Sequence, residues 1–176
     1  SARPGKPNLM ADVARAVVKL DENPFPYRIL PEIALQYKLL APYAGEMKEI
    51  YEDIAGHKEE FFATLEGNPG AAAKFHTTMA MTMAMGSSRS NVMPSKVSVR
   101  INCRPLPGDS MEEVLAHFRK VVGEESGVQV EMVGGRGPSP VTGTDNPYFE
   151  GLKKAIEGLY PGIKVLPSIC LGGKEP

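Results

Sequence analysis

Two alternating runs, close together in the chain, constrain the fold more than any other feature. In TTMAMTMAM, Met79, Met81, Met83 and Met85 alternate with Ala80, Thr82 and Ala84. In KVSVRINCRPLP, Val97, Val99, Ile101 and Cys103 alternate with Ser98, Arg100, Asn102 and Arg104. A period of two is the strand period, because successive side chains of a strand leave opposite faces. The runs therefore predict a β-hairpin, joined by a short polar turn that holds Asn91 and ended by Pro105 and Pro107. Its methionines predict a core face, since thioethers fill irregular gaps. Its reverse is polar and closes on Arg104.

A two-stranded hairpin is marginal alone and needs helices against its apolar face. Asn8 is a candidate N-cap, and Met10, Val13, Ala14, Val17 and Leu20 recur at helical spacing, so 9–22 is an amphipathic helix stopped by Asn23-Pro24. After the hairpin, Ser110 and Glu113 form a capping box, and Val114, Leu115, Phe118, Val121 and Val122 give a second buried stripe to about Gly123. Val128, Val130 and Met132 then alternate in a further strand, ended by Gly134-Gly135. With one strand prefixed, the order is β-α-β-β-α-β: the split βαβ (ferredoxin-like) class of α+β fold, an antiparallel sheet with helices on one face. The first strand is missing, so the chain is expected to begin inside a domain.

Residues 31–74 read as a helical insertion. Ile33, Leu35, Leu39 and Leu40 mark one helix, broken at Ala41-Pro42; Met47, Ile50, Tyr51 and Ile54 a second; Phe61, Phe62 and Leu65 a third. Lys58, Glu59 and Glu60 are expected on a solvated face. Residues 137–144 form a Pro/Gly/Ser/Thr linker after a domain spanning 1–136. Asn146-Pro147 opens a helix with Tyr148, Leu152, Ala155, Ile156 and Leu159 as its apolar positions, and the apolar run 163–171 reads as a strand of a largely parallel sheet. Residues 145–176 are thus a helix and strand with no sheet of their own.

The net charge of −1, without a basic block, excludes nucleic acid as an expected partner; no apolar run reaches membrane-spanning length, and no targeting segment is visible, so a cytoplasmic location is expected. Cys103 and Cys170 lack CxxC spacing and are expected as buried thiols. His57, His76 and His117 form no ligand spacing, and no nucleophile motif, phosphate loop or paired-carboxylate site is present. The chain holds no complete active site. Two polar residues stay open to a role: Asn91, otherwise a turn residue, and Arg104, otherwise a surface arginine. An amide and a guanidinium fork facing one cleft would suit a carboxylate or a developing oxyanion.

The segment SNVMPSKVSVRINCRPLPG resembles the NV(I/M)P…(D/N)xR…PG signature of the dinuclear zinc amidohydrolases and peptidases, the family of aminoacylase, carboxypeptidase G, succinyl-diaminopimelate desuccinylase and carboxypeptidase S. The opening SARPGKPN is similar to the stretch after a histidine in that family's lid domain, a histidine that would stand just before Ser1. The end LGGKEP resembles the start of its G-G-T-D-x-R-H loop, with Lys174 where Thr or Ser is usual. The insertion together with TTMAMTMAM is most similar to the carboxypeptidase S branch.

The resemblance implies a lid, or dimerisation, domain at 1–136 and a return into an α/β zinc-hydrolase domain at 145–176. It implies a homodimer, a peptide or N-acyl amino acid substrate, Asn91 orienting the scissile carbonyl, Arg104 binding the terminal carboxylate, and Gly172 and Gly173 in a substrate loop. It also implies two zinc ions and a glutamate base in the parent enzyme, polarising the carbonyl and activating water. None of those ligands is in this chain, so the chain alone is expected to be inactive. Two rivals remain: a free-standing split βαβ module that dimerises and binds or senses a small ligand, and a dimerisation scaffold without ligand contacts.

Overall fold

A computed structural model describes residues 8–135, 137 and 140–170. In chain order its elements are α1 (Leu9–Glu22), α2 (Pro31–Leu40), α3 (Lys48–Glu52), α4 (Lys58–Ala63), α5 (Pro69–Ala72), β1 (Thr78–Met85), β2 (Ser98–Arg104), α6 (Met111–Val122) and α7 (Pro147–Leu159), with short 3-10 turns between. They divide into two compact units, Ser1–Pro26 with His76–Ser139, and Tyr27–Phe75 with Pro140–Pro176.

The first unit is α+β, with the order helix, strand, strand, helix. β1 and β2 pair antiparallel. Both helices lie on one face of this sheet: Ala16 and Leu20 of α1, Phe25, and Val114, Phe118 and Val122 of α6 form the core, against Met79, Met81, Ile101 and Cys103. The α1 stripe differs from expectation at three positions: Ala16 is buried, and Met10 and Ala14 are exposed. Spacing of i, i+3, i+4 and i+7 through Val13, Ala16, Val17 and Leu20 is the narrower stripe that a single sheet face covers. The Asn8 side chain caps α1 at Ala11 N, and the capping box of Ser110 and Glu113 opens α6. α6 ends at Gly123, whose φ of 78° is left-handed backbone that favours glycine.

Two expected strands are not formed. Val128 and Val130 keep alternating burial and pack on the core, yet 128–133 joins no ladder. The strand it would pair with is the one the split βαβ order places before α1, and no described residue supplies it. Residues 163–170 also form no ladder. Such a strand needs a parallel neighbour, and Pro167 removes one ladder donor. The loop between β1 and β2, residues 86–97, is longer than a tight turn.

The second unit is helical. Ile33, Ile54 and Phe61 are fully or almost fully buried, and Phe61 meets Tyr37, Phe62 and Phe75 with ring centroids 4.8, 5.6 and 5.2 Å apart. Arg28 N donates to Phe75 O at 2.6 Å, so the segment enters and leaves this cluster at neighbouring points. Lys58, Glu59 and Glu60 are exposed. Unlike the other long helices, α7 buries nothing: Tyr148, Leu152 and Leu159 of its apolar stripe are exposed. No described helix is long and apolar enough to cross a membrane.

Candidate functional site

The outward face of the hairpin ends on Arg104. This arginine is the last residue of β2, exposed, opposite Thr78. A buried threonine fixes this end of the sheet. Thr77 Oγ1 accepts the Leu106 backbone N–H at 2.8 Å and donates to the Asp109 carboxylate. It thereby ties the start of β1 to the turn after β2, and satisfies polar groups that burial would otherwise leave costly.

Asn91 lies in the 86–97 loop, exposed, beside a turn in which Val92 N donates to Arg89 O. It precedes β2 while Arg104 ends it. The seven residues of β2 put about 20 Å between Ser98 and Arg104. Asn91 therefore belongs to the loop that enters β2 at Ser98, and Arg104 to the other end of the strand. Gly172 and Gly173 lie outside the described residues.

The ladder adds residues that period-two reading missed. Met79 is opposite Cys103 and Met81 opposite Ile101, as the core-face expectation requires. The register then shifts at Thr82, so that Met83 is opposite Arg100, Ala84 opposite Val99 and Met85 opposite Ser98. A bulge residue exchanges the two faces of everything beyond it. Met83 and Met85 therefore leave the core face, and they are 53% and 43% exposed. The available signal is the difference in strand lengths, eight residues in β1 and seven in β2, which is legible only once the ends are known.

The face is basic. Between Thr77 and Gly108 stand Arg89, Lys96, Arg100 and Arg104, with no aspartate or glutamate. Among the described residues, none of these four has an acidic partner within ion-pair distance. Arg100 and Arg104 are thus available to an anion.

The histidines are spread apart. His57 pairs with Glu60 at 3.0 Å on the surface. His117 stacks on Phe25 with centroids 4.0 Å apart, and its Nε2 lies 3.0 Å from Asn23 O. Burial holds the His76 imidazole below its usual value, with a hydrogen bond to the Thr77 backbone acting in the opposite sense. Cys103, half-buried, is pushed up by burial; Cys170 is exposed, unlike the buried thiol expected of it. Among the described residues no group of three or more His, Cys, Asp or Glu could hold a metal ion. These residues do not fit a zinc site.

Comparison with known proteins bears on this arrangement. Residues 2–129 match the family described as the peptidase dimerisation domain of the M20 class. The chain is 26% identical over 179 residues to the N-fatty-acyl-amino acid synthase/hydrolase PM20D1.1 of Danio rerio, covering 99% of this chain and 35% of that protein. It is 25% identical to the probable carboxypeptidase S-like 2 of Dictyostelium discoideum, covering 99% of this chain and 34% of that protein. The mouse PM20D1 protein is also 25% identical, with 99% and 36% covered. The chain therefore spans about a third of the length of the curated relatives it matches, which are hydrolases and peptidases by name. No solved structure matches. With a helix-strand-strand-helix unit over the matched residues, this chain belongs to the M20 peptidase dimerisation-domain family.

Proposed function

We propose that the chain is the lid and dimerisation part of a longer zinc-dependent hydrolase. That enzyme cleaves a peptide or amide bond next to a free carboxylate, in a peptide or an N-acyl amino acid. The observation that carries this reading is Arg104, an exposed guanidinium without an acidic partner among the described residues, standing where the NVMP…NCR…PG signature ends within the family match. A guanidinium fork holds a carboxylate through two parallel charge-assisted hydrogen bonds.

In this reading Arg104 binds the substrate carboxylate and Asn91 orients the scissile carbonyl. Asn91, in the loop that enters β2, and Arg104, at the other end of the strand, serve the two sites of a homodimer, Asn91 reaching the site of the partner protomer. Gly172 and Gly173 belong to the substrate loop. The metal is held by parts of the enzyme that this chain does not include, and the chain alone does not hydrolyse substrate. The exposed apolar stripe of α7 supports a longer parent, since an apolar helix face of this kind is ordinarily covered.

The test is Arg104→Ala in the full-length enzyme. Loss of a hydrogen-bonded charge contact costs about 1.5–3 kcal/mol. The expected result is a KM raised roughly tenfold to a hundredfold, with kcat changed far less. An unchanged kcat/KM overturns the assignment, as does turnover by the isolated chain.

A further inference from the structure

We propose that Met83 and Met85 form a reversible oxidation site, in which Arg100 and Ser98 across the ladder hold the sulfoxide oxygens. The site does not depend on the role given to Arg104.

Three observations carry it. The first is the set of cross-strand partners. The inward methionines face residues that offer a sulfoxide no strong donor: Met79 is opposite Cys103 and Met81 opposite Ile101. Beyond the shift at Thr82, Met83 is opposite Arg100 and Met85 opposite Ser98. Directly opposed residues have Cβ atoms about 4.5–5.5 Å apart, within reach of arginine and methionine side chains. A thioether sulfur is a weak acceptor, so the reduced pairs gain little from these donors. A sulfoxide oxygen is a strong acceptor, and a guanidinium donates to it through a charge-assisted hydrogen bond.

The second is accessibility. Met83 and Met85 are exposed, whereas Met79 and Met81 pack against the core. A dissolved oxidant reaches the outward pair, and its polar product there stays in water. At Met79 or Met81 the same product would put a polar group into apolar surroundings.

The third is Arg100 itself. Among the described residues it has no acidic partner within ion-pair distance, so its guanidinium is open to a new acceptor. Thr82 Oγ1 donates to Arg100 O at 3.3 Å, which ties the bulge to this residue and fixes its backbone beside Met83.

The co-reactant is a peroxide. The thioether sulfur gives an electron pair to one peroxide oxygen, and the O–O bond breaks. The proton of that oxygen passes to the departing hydroxide, and water leaves. Sulfur is oxidised by two electrons and the peroxide is reduced. A dithiol reductant reverses the step: its thiols close to a disulfide, and the sulfoxide oxygen leaves as water. Oxidation thus engages Arg100 with Met83 and withdraws one cation of this face from any anion.

The experiment compares the reduced and peroxide-treated chain carrying Met10→Leu, Met93→Leu and Met132→Leu, which leaves Met83 and Met85 as the exposed methionines. Peptide mass spectrometry locates the sulfoxides, and urea unfolding is followed with Arg100, Arg100→Ala and Arg100→Lys. Oxidation should lower the folding equilibrium constant roughly threefold to tenfold more in Arg100→Ala than with Arg100 present. Arg100→Lys, which keeps a charged donor, should stay close to the latter. The Arg100 Nε–H resonance should shift on oxidation and return after treatment with methionine sulfoxide reductases A and B. That resonance is read with Arg100 in place, so it decides the matter even where Arg100→Ala is unstable. An equal effect of oxidation with and without Arg100, or a resonance that does not respond to it, overturns the site. So does sulfoxide that forms first at Met79 and Met81.

Discussion

Thr77 Oγ1 accepts the backbone N–H of Leu106 at 2.8 Å. The same hydroxyl donates to Asp109, so one buried side chain closes the hairpin and seats the turn into α6. Thr77→Val keeps the shape and removes both hydrogen bonds, leaving the Leu106 N–H buried without its acceptor. A loss of about 1–3 kcal/mol is expected, read as a lower urea midpoint at unchanged slope. Thr77→Ser restores most of it; equal losses for both variants would mean that packing rather than hydrogen bonding matters here.

Phe61 is fully buried and sits among Tyr37, Phe62 and Phe75. Phe61→Ala should cost about 3–5 kcal/mol, and Phe61→Leu clearly less. Because Phe61 lies in the unit formed by Tyr27–Phe75 and Pro140–Pro176, hydrogen exchange should report the damage there, leaving the amides of β1 and β2 protected.

Acid should weaken the fold through His76. Burial lowers its folded-state pKa, so the unfolded chain binds more protons once pH falls below the ordinary imidazole value of about 6.5. Stability from this group is therefore complete above that value. It falls as pH drops toward the folded-state pKa, and is level below it. The difference in urea midpoint between pH 7.5 and pH 5.5 should shrink in His76→Gln. An identical difference in both proteins would place the acid sensitivity elsewhere.

The methionines of β1 should oxidise in two classes. Met83 and Met85 are exposed, whereas Met79 and Met81 pack against the core. Limited peroxide treatment and peptide mass spectrometry should give sulfoxide at Met83 and Met85 several-fold faster. A uniform rate along the strand would contradict the register shift at Thr82.

Much of the first unit was legible in the sequence because its signals are local. The Asn8 cap, the Ser110–Glu113 box and the two alternating runs each act within a few residues, and α1 begins and ends where its capping and proline signals place it. What was not legible depends on partners. The alternation at 128–132 and the apolar run at 163–171 describe strands that need neighbours, and among the described residues neither has one. The outward turn of Met83 and Met85 depends on the count of residues facing β2, which periodicity within β1 does not contain. Arg104 was visible as a residue type in a motif, and its exposed position at the end of β2 came from the ladder. That Asn91 lies in the loop entering β2 and Arg104 at the other end of the strand was implicit in their spacing, but only once the ends of β2 are known.

The bulge at Thr82 also bears on how this surface could change between related proteins. Loss of the Thr82 codon would close the bulge and leave Met83 and Met85 outward, because Met83 would follow Met81 directly, whereas one residue gained in β2 opposite Thr82 would swing them inward and carry Ala84 outward. The character of the outward face is thus encoded in strand length as much as in side-chain identity. Relatives that differ here by one residue would diverge in what they accept while their aligned residues stayed the same.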